Sequence, residues 1–206
     1  FRRVLFRSWR GPAALALGTF LAVAPVTVHN ALEGDPALIS TQAGVNLWIG
    51  NNPASDGSAA IVPGTPDGWW EGYHGAIAQA EAAAGRELRP SEVSAHFTGR
   101  AVDWAMDEPG AWASHMLWKA RLLVTNVELA NNSDIEFTAT RTMPLLRFTP
   151  SRWDLLLGFG LVGLAAGVCS RRRGAGVLAV YLAVYASSIV LFFVSARFRV
   201  PLVPIL

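Results

Sequence analysis

The sequence predicts a mainly α-helical membrane protein, in which membrane helices flank a loop-rich, mostly helical segment outside the cytoplasm. Of its 206 residues, 52% are hydrophobic and 16% are charged, whereas an ordinary globular domain carries about 25% charged residues. Three apolar stretches are each long enough to cross ~30 Å of hydrocarbon as a helix, and their one charge is Asp154, at the start of the second. Fourteen of the fifteen acidic residues lie in one segment, residues 29–152. We therefore do not expect a plain soluble domain.

The first apolar stretch, Gly11 to Val28, contains eighteen residues without a charge and predicts a transmembrane helix over residues 9–28. A secretory signal peptide is the alternative, since an Ala-Val-Ala triplet precedes Pro25. Pro25 would then occupy the first mature position, where a signal peptidase needs an extended and flexible chain. We therefore favour a retained helix.

Two further apolar stretches predict transmembrane helices over residues 153–170 and 174–196. Between them lies a loop of three arginines, residues 171–173, and short cytoplasmic loops collect Lys and Arg. The loop is therefore placed in the cytoplasm, and Arg10 falls on the same side. Residues 29–152 must then lie outside the cytoplasm, and their eight basic residues against fourteen acidic ones give a net charge of −6.

The two ends of the chain predict a fragment. Residues 1–8 are set aside as a scar, because RRVLFRS resembles the translation of a sequencing adaptor. The alternative is an authentic basic flank. Residues 197–206 become apolar again after two arginines and predict the start of a truncated membrane segment.

Within the outer segment, residues 29–68 are rich in Gly, Pro, Asn, Asp and Ser and predict an irregular loop. One apolar stretch in this loop, Val45 to Ile49, is typical of a strand. Three helices are predicted after this loop. The first is Ala-rich, covers His74 to Glu87 and ends near Gly85. The second begins at Pro90 and has an apolar stripe of Val93, Phe97, Ala101 and Ala105, and the third covers Ala111 to Thr125 and has a stripe of Trp112, Met116, Ala120 and Leu123.

The cysteine, histidine, arginine and tryptophan residues limit the kinds of site that the sequence predicts. The single Cys169 excludes an internal disulfide, and the four histidines lack metal-ligand spacing, so no metal site is predicted. The arginines flank apolar stretches, which argues against a nucleic-acid partner. Six tryptophans are open to two interpretations, a sugar-stacking platform or a mixture of core packing and interfacial anchoring: Trp69, Trp70, Trp104, Trp112, Trp118 and Trp153.

Three stretches carry a resemblance to a known family. Ile39 to Gly57, ISTQAGVNLWIGNNPASDG, resembles the loop that follows a membrane helix in bacterial GT-C glycosyltransferases related to the dolichyl-phosphate-mannose protein mannosyltransferases. Ser195 to Leu206, SARFRVPLVPIL, resembles the Arg-aromatic-Arg-apolar-Pro signature at the head of a late membrane helix in that group. Lys119 to Asp134, KARLLVTNVELANNSD, is similar to a Lys-led amphipathic helix between them. Their order matches from about Gly11 to Leu206.

The resemblance implies a bacterial inner-membrane enzyme that transfers a sugar from a polyprenyl-phosphate carrier to an extracytoplasmic glycan or protein acceptor. The catalytic base it implies is an Asp or Glu in a first outer loop upstream of Phe1, so the chain alone is expected to be inactive. The resemblance does not specify a divalent metal. The alternative is a non-enzymatic membrane-anchored protein whose outer domain binds a partner or an envelope polymer.

Candidate site residues follow from the same stretches. Arg197 and Arg199 are predicted to bind the lipid phosphate, because a guanidinium group suits bidentate phosphate contacts; simple snorkelling to the membrane interface is the alternative. Asn46, Asn51 and Asn52 are weaker candidates for binding sugar hydroxyls. Their alternative is a structural role, since Asn-Asn-Pro is strong turn chemistry.

Overall fold

The computed structural model describes residues 9–126, 140–141 and 153–206. Within these residues 73% are helical and no strand occurs, so the prediction of a mainly α protein is confirmed. The helices, in chain order, are α1 (Arg10–Leu32), α2 (Ala43–Gly50), α3 (Trp69–Ala84), α4 (Pro90–Asp107), α5 (Pro109–Val124), α6 (Trp153–Cys169), α7 (Ala175–Leu191) and α8 (Ala196–Arg199), followed by a 3₁₀ helix (Val200–Ile205).

Among the described residues, α1 is the one helix that is both long and apolar enough to cross a membrane. It has 23 residues and none of them is buried. Near its end, the side chains of Thr27 and Asn30 donate hydrogen bonds to the carbonyl oxygens of Leu38 and Ala37, at 2.5 and 3.0 Å. These bonds fold the following loop back against the last turns of α1.

The two other apolar helices are shorter than the sequence predicts. α6 and α7 have 17 residues each, which corresponds to about 26 Å of helix. The apolar stretch 174–196 continues past the end of α7 at Leu191, but residues 192–195 are not helical. The arginine turn before α7 includes Arg171 and Gly174 at positive φ, 54° and 87°. It lets α6 and α7 pack against each other.

In residues 29–126, the three predicted helices are confirmed, and the predicted strand is wrong. The predicted stripe of α5 is also wrong, since Leu123 is its only buried member. α4 begins at Pro90 and buries Val93, Phe97 and Ala101, three of the four residues of its predicted stripe. Residues 45–49 instead belong to helix α2, which buries Val45, Trp48 and Ile49. These positions are spaced i, i+3 and i+4, so they share one helical face, and a short apolar run does not distinguish this from a strand.

Two groups of buried side chains form the core. The first lies between α2, α3 and α4 and includes Phe97 and, from beyond α7, Phe193. The second lies between α5, α7 and the 3₁₀ helix, where Leu123, Leu182 and Leu202 are buried. Phe198 packs against both groups. The segment after α7 therefore joins helices α2–α5 to the apolar helices α6 and α7.

Candidate functional site

A fully buried lysine lies where α2, α5 and the end of α7 meet. Lys119 is the only lysine in the sequence, and its exposed fraction is 0%. Its Nζ donates to the carbonyl oxygens of Gly50 at 2.7 Å and Phe192 at 2.9 Å. Longer contacts reach Asn51 Oδ1 at 3.3 Å and the Leu191 carbonyl oxygen at 3.4 Å. All four acceptors are neutral oxygens. We call this arrangement the lysine junction.

Helix α5 presents two more side chains to the same place, because residues 112, 115 and 119 lie on one helical face. Trp112 Nε1 donates to Asn51 Oδ1 at 3.2 Å. The His115 Nε2 atom is 3.1 Å from the Gly50 carbonyl oxygen, which also accepts from Lys119. One face of α5 thus binds the last turn of α2 through three polar side chains.

The asparagines predicted to bind sugar are placed mostly inside the protein. Asn51 and Asn52 are each 2% exposed. Asn51 Nδ2 donates to the carbonyl oxygens of Leu47 and Leu191, at 2.8 and 2.7 Å. Asn52 Nδ2 donates to the Trp48 carbonyl oxygen at 2.7 Å, so it caps the end of α2. Asn46 is half-buried on α2. The polar atoms of Asn51 and Asn52 thus bind the chain itself.

Two glycines allow the backbones to come this close. A Cβ atom on Gly50 would lie 1.7 Å from the Phe192 carbonyl oxygen. Gly57 has a φ of +85°, and a Cβ atom there would lie 2.8 Å from Lys119 Cγ. The Gly57 carbonyl oxygen accepts a hydrogen bond of 2.8 Å from the Val194 N–H. Residues 192–194 are therefore held directly against the loop that follows α2.

The electrostatics of the junction follow from burial. Removal from water lowers the pKa of Lys119 to about 7, since the charged form loses its hydration. Burial also lowers the pKa of His115, and the nearby Lys119 charge lowers it further; the Gly50 hydrogen bond and the Asp56 charge oppose the shift. The two groups on α5 thus compete to carry positive charge at one carbonyl oxygen.

The structure places the two predicted phosphate-binding arginines in different environments. Arg199 is 5% exposed; its Nη2 donates to the Leu122 carbonyl oxygen at 2.6 Å, and its Cζ lies 5.6 Å from the Trp153 ring centre. Arg197 is exposed, with its Cζ 4.9 Å from the ring centre of Phe198. Arg199 therefore anchors α8 to α5, while Arg197 remains on the surface.

An apolar groove lies beside this segment. It has a volume of about 540 Å³ and is lined by side chains from the end of α5, from α6 and α7, and from the 3₁₀ helix, among them Trp153, Leu157, Leu182 and Leu202. Trp153 thus contacts both the groove and Arg199. The groove and the arginine segment are neighbours.

The tryptophans are divided between surface and interior. Trp69 and Trp70 are 78% and 58% exposed, and their rings lie 4.8 Å apart at the start of α3. The Trp70 ring also stacks on His74 at 5.5 Å. We call Trp69, Trp70, Tyr73 and His74 the aromatic cluster. Trp104 and Trp112 are half-buried in α4 and α5.

Comparison of this chain with protein families, with curated proteins and with solved structures finds no match. In the described part of the chain, no three His, Cys, Asp or Glu side chains lie close enough to hold a metal ion. Sequence reasoning did not identify the role of Lys119, although one signal was available. Lys119 lies three residues after Met116 and four before Leu123, on the apolar face of its helix.

Proposed function

We propose that the chain is part of a bacterial inner-membrane GT-C glycosyltransferase, with several membrane passes and with residues 29–152 outside the cytoplasm. It would use a polyprenyl-phosphate-linked sugar as donor and a glycan or protein as acceptor. The observation that carries this proposal is the exposed guanidinium group of Arg197 on a segment that adjoins the apolar groove.

The ligand's chemistry supports this proposal. A polyprenyl phosphate joins a long apolar chain to an anionic head, so its site needs an apolar surface beside a cation. The groove supplies the apolar surface between α6 and α7, and Arg197 supplies an exposed cation on the segment that leads to Leu202 in the groove lining. Arg199 is bound to the Leu122 carbonyl oxygen, and in this proposal it fixes α8 while Arg197 makes the first phosphate contact.

The three stretches that resemble the GT-C enzymes also meet in space. Gly50 and Asn51, in the stretch 39–57, accept hydrogen bonds from Lys119, in the stretch 119–134. Arg199, in the stretch 195–206, donates to the carbonyl oxygen of Leu122, which lies one turn after Lys119. Stretches separated by about seventy residues or more thus form one unit, which is the arrangement expected if they serve one site.

A binding measurement tests the proposal. The purified chain in detergent is titrated with a polyprenyl monophosphate, and Arg197→Ala is compared with Arg173→Ala, which removes an exposed arginine from the turn before α7. A charge-assisted hydrogen bond contributes about 1.5–3 kcal/mol, so Arg197→Ala should weaken binding by roughly tenfold or more. Equal affinity in both variants would refute the phosphate contact. In a longer protein with an upstream acidic loop, the same variant should slow sugar transfer.

A non-enzymatic role in binding an envelope polymer is the second candidate, and the aromatic cluster favours it. Exposed Trp faces stack on sugar rings, and Trp69 and Trp70 present such faces at the start of α3. If Trp70→Ala abolished retention on an envelope glycan while the wild type did not bind polyprenyl phosphate, the binding role would replace the enzymatic one.

A further inference from the structure

We propose that Lys119 is a positioning residue, whose buried ammonium group holds the ends of α2 and α7 together and so sets the position of residues 192–199. That this segment presents Arg197 to a lipid phosphate rests on the proposed function. That Lys119 positions residues 192–199 does not depend on the proposed function.

The first step is the geometry of the ammonium group. Its two shortest hydrogen bonds go to carbonyl oxygens of two different elements, Gly50 at the end of α2 and Phe192 just after α7. Two carbonyl oxygens that point to one place repel each other unless a donor lies between them. The three hydrogens of an ammonium group can serve both oxygens and still donate to Asn51 Oδ1.

The second step is the fit of the side chain. Lys119 is completely buried, and its Cγ lies so close to Gly57 that a Cβ atom there would approach within 2.8 Å. The stem of Lys119 therefore packs directly against the backbone of Gly57, where a side chain would displace it. Among the seventeen Lys and Arg residues of this chain, the one lysine occupies this place.

The third step links the junction to the arginine segment. Helix α5 holds residues 192–199 at two points: Lys119 binds the Phe192 carbonyl oxygen, and the Leu122 carbonyl oxygen accepts from Arg199. Between them, the Val194 N–H donates to Gly57. Without the Lys119 bond to Phe192, the start of the segment keeps the Val194 bond to Gly57, the Asn51 bond to Leu191 and its apolar packing.

The test compares Lys119→Met, which keeps an unbranched side chain but removes the charge, with Arg121→Met, which removes an exposed charge from the same helix. Amide hydrogen exchange is followed by mass spectrometry in the full chain. We expect Lys119→Met to exchange the amides of Val194 and Phe198 at least roughly tenfold faster, while those in the middle of α4 keep their protection. Arg121→Met should match the wild type.

A purely stabilising role predicts a different pattern. In that case Lys119→Met would raise exchange evenly across both core groups, or leave residues 192–199 as protected as in the wild type. Either pattern would overturn the proposal.

If Lys119→Met fails to fold, a measurement on the wild type tests the proposal instead. Because the chain has one lysine, acylation at the Lys119 amine is read directly by peptide mass spectrometry, with the chain's α-amine as the reference. The buried amine should be acylated at least about a hundredfold more slowly in the folded chain than in denaturant. Rapid acylation in the folded chain would overturn the proposal.

Polyprenyl monophosphate binding separates this proposal from the proposed function. Lys119→Met should weaken binding together with the loss of protection at residues 192–199. If the wild type does not bind the lipid, the proposed function fails, while the exchange and acylation results still decide the role of Lys119.

Discussion

Substitution of Gly50 by alanine should break the contact between the end of α2 and the chain after α7. A Cβ atom at residue 50 would lie 1.7 Å from the Phe192 carbonyl oxygen and 2.4 Å from its carbon. Real Cβ atoms essentially never approach within 3.0 Å, so the two backbones must separate by about 1.3 Å, the difference between these distances. Both atoms involved belong to the backbone, so no side-chain rotation relieves the clash.

The separation also reaches Lys119. Its hydrogen bonds to Gly50 and Phe192 measure 2.7 and 2.9 Å, and a shift of this size moves at least one acceptor beyond the ~3.2 Å range of N–H···O bonds. A lost hydrogen bond to a charged group costs about 1.5–3 kcal/mol, and overpacking costs about 1–3 kcal/mol. We therefore expect Gly50→Ala to lower the free energy of unfolding by about 3 kcal/mol or more.

Thermal unfolding followed by tryptophan fluorescence measures this effect. For a chain of 150–250 residues, 1 kcal/mol corresponds to about 2–4 °C, so Gly50→Ala should lower the Tm by roughly 6–12 °C. Gly99→Ala is the matched control, because no described atom lies within 4 Å of the position its Cβ would take in α4. There the better helix propensity of alanine should raise stability by about 0.5–1 kcal/mol. Equal Tm values for both variants would refute the close approach at Gly50.

Two further predictions concern the core and the titration of the junction. Phe97→Ala should cost about 3–5 kcal/mol in denaturant unfolding, because Phe97 is 0% exposed, whereas Trp69→Ala, at a residue 78% exposed, should change stability by less than about 0.5 kcal/mol. Wild-type stability should rise relative to Lys119→Met between about pH 7 and 10, since the unfolded chain there binds a proton that the folded Lys119, with its pKa of about 7, has released. His115, with its lowered pKa, and Asp56, also with a lowered pKa, keep their charge states in this window. Parallel curves for the two proteins would therefore contradict the burial of the Lys119 amine.

Periodicity in the sequence was sufficient for α4, but in α5 it predicted the helix and not its buried face. The stripe from Val93 to Ala101 and the breakers Gly85 and Pro90 mark α4 and the end of α3, because the helical period and the chemistry of these breakers are local properties. The same reasoning failed at residues 45–49. Five apolar residues fit a buried strand as well as a helix, and packing of α2 against α4 decided between them.

The site could be predicted only in part, because its parts are brought together by the tertiary fold. The resemblance identified the stretches that contain Gly50, Lys119 and Arg199, but it did not indicate that they touch. The different burial of Arg197 and Arg199 also has no local signal, since both follow the same apolar stretch. It depends on the Leu122 carbonyl oxygen, a backbone atom that no sequence pattern marks.

The lysine junction also sets an order of events during synthesis. Lys119 finds Gly50 and Asn51 already made, but its acceptor at Phe192 lies 73 residues further along the chain. At about 5–20 residues per second, translation delivers Phe192 some 4–15 seconds later. Until then the ammonium group lacks half of its partners and must remain hydrated. Helices α2 to α5 should therefore complete their packing only after α6 and α7 have left the ribosome, so two helices made later finish the fold of the segment that precedes them.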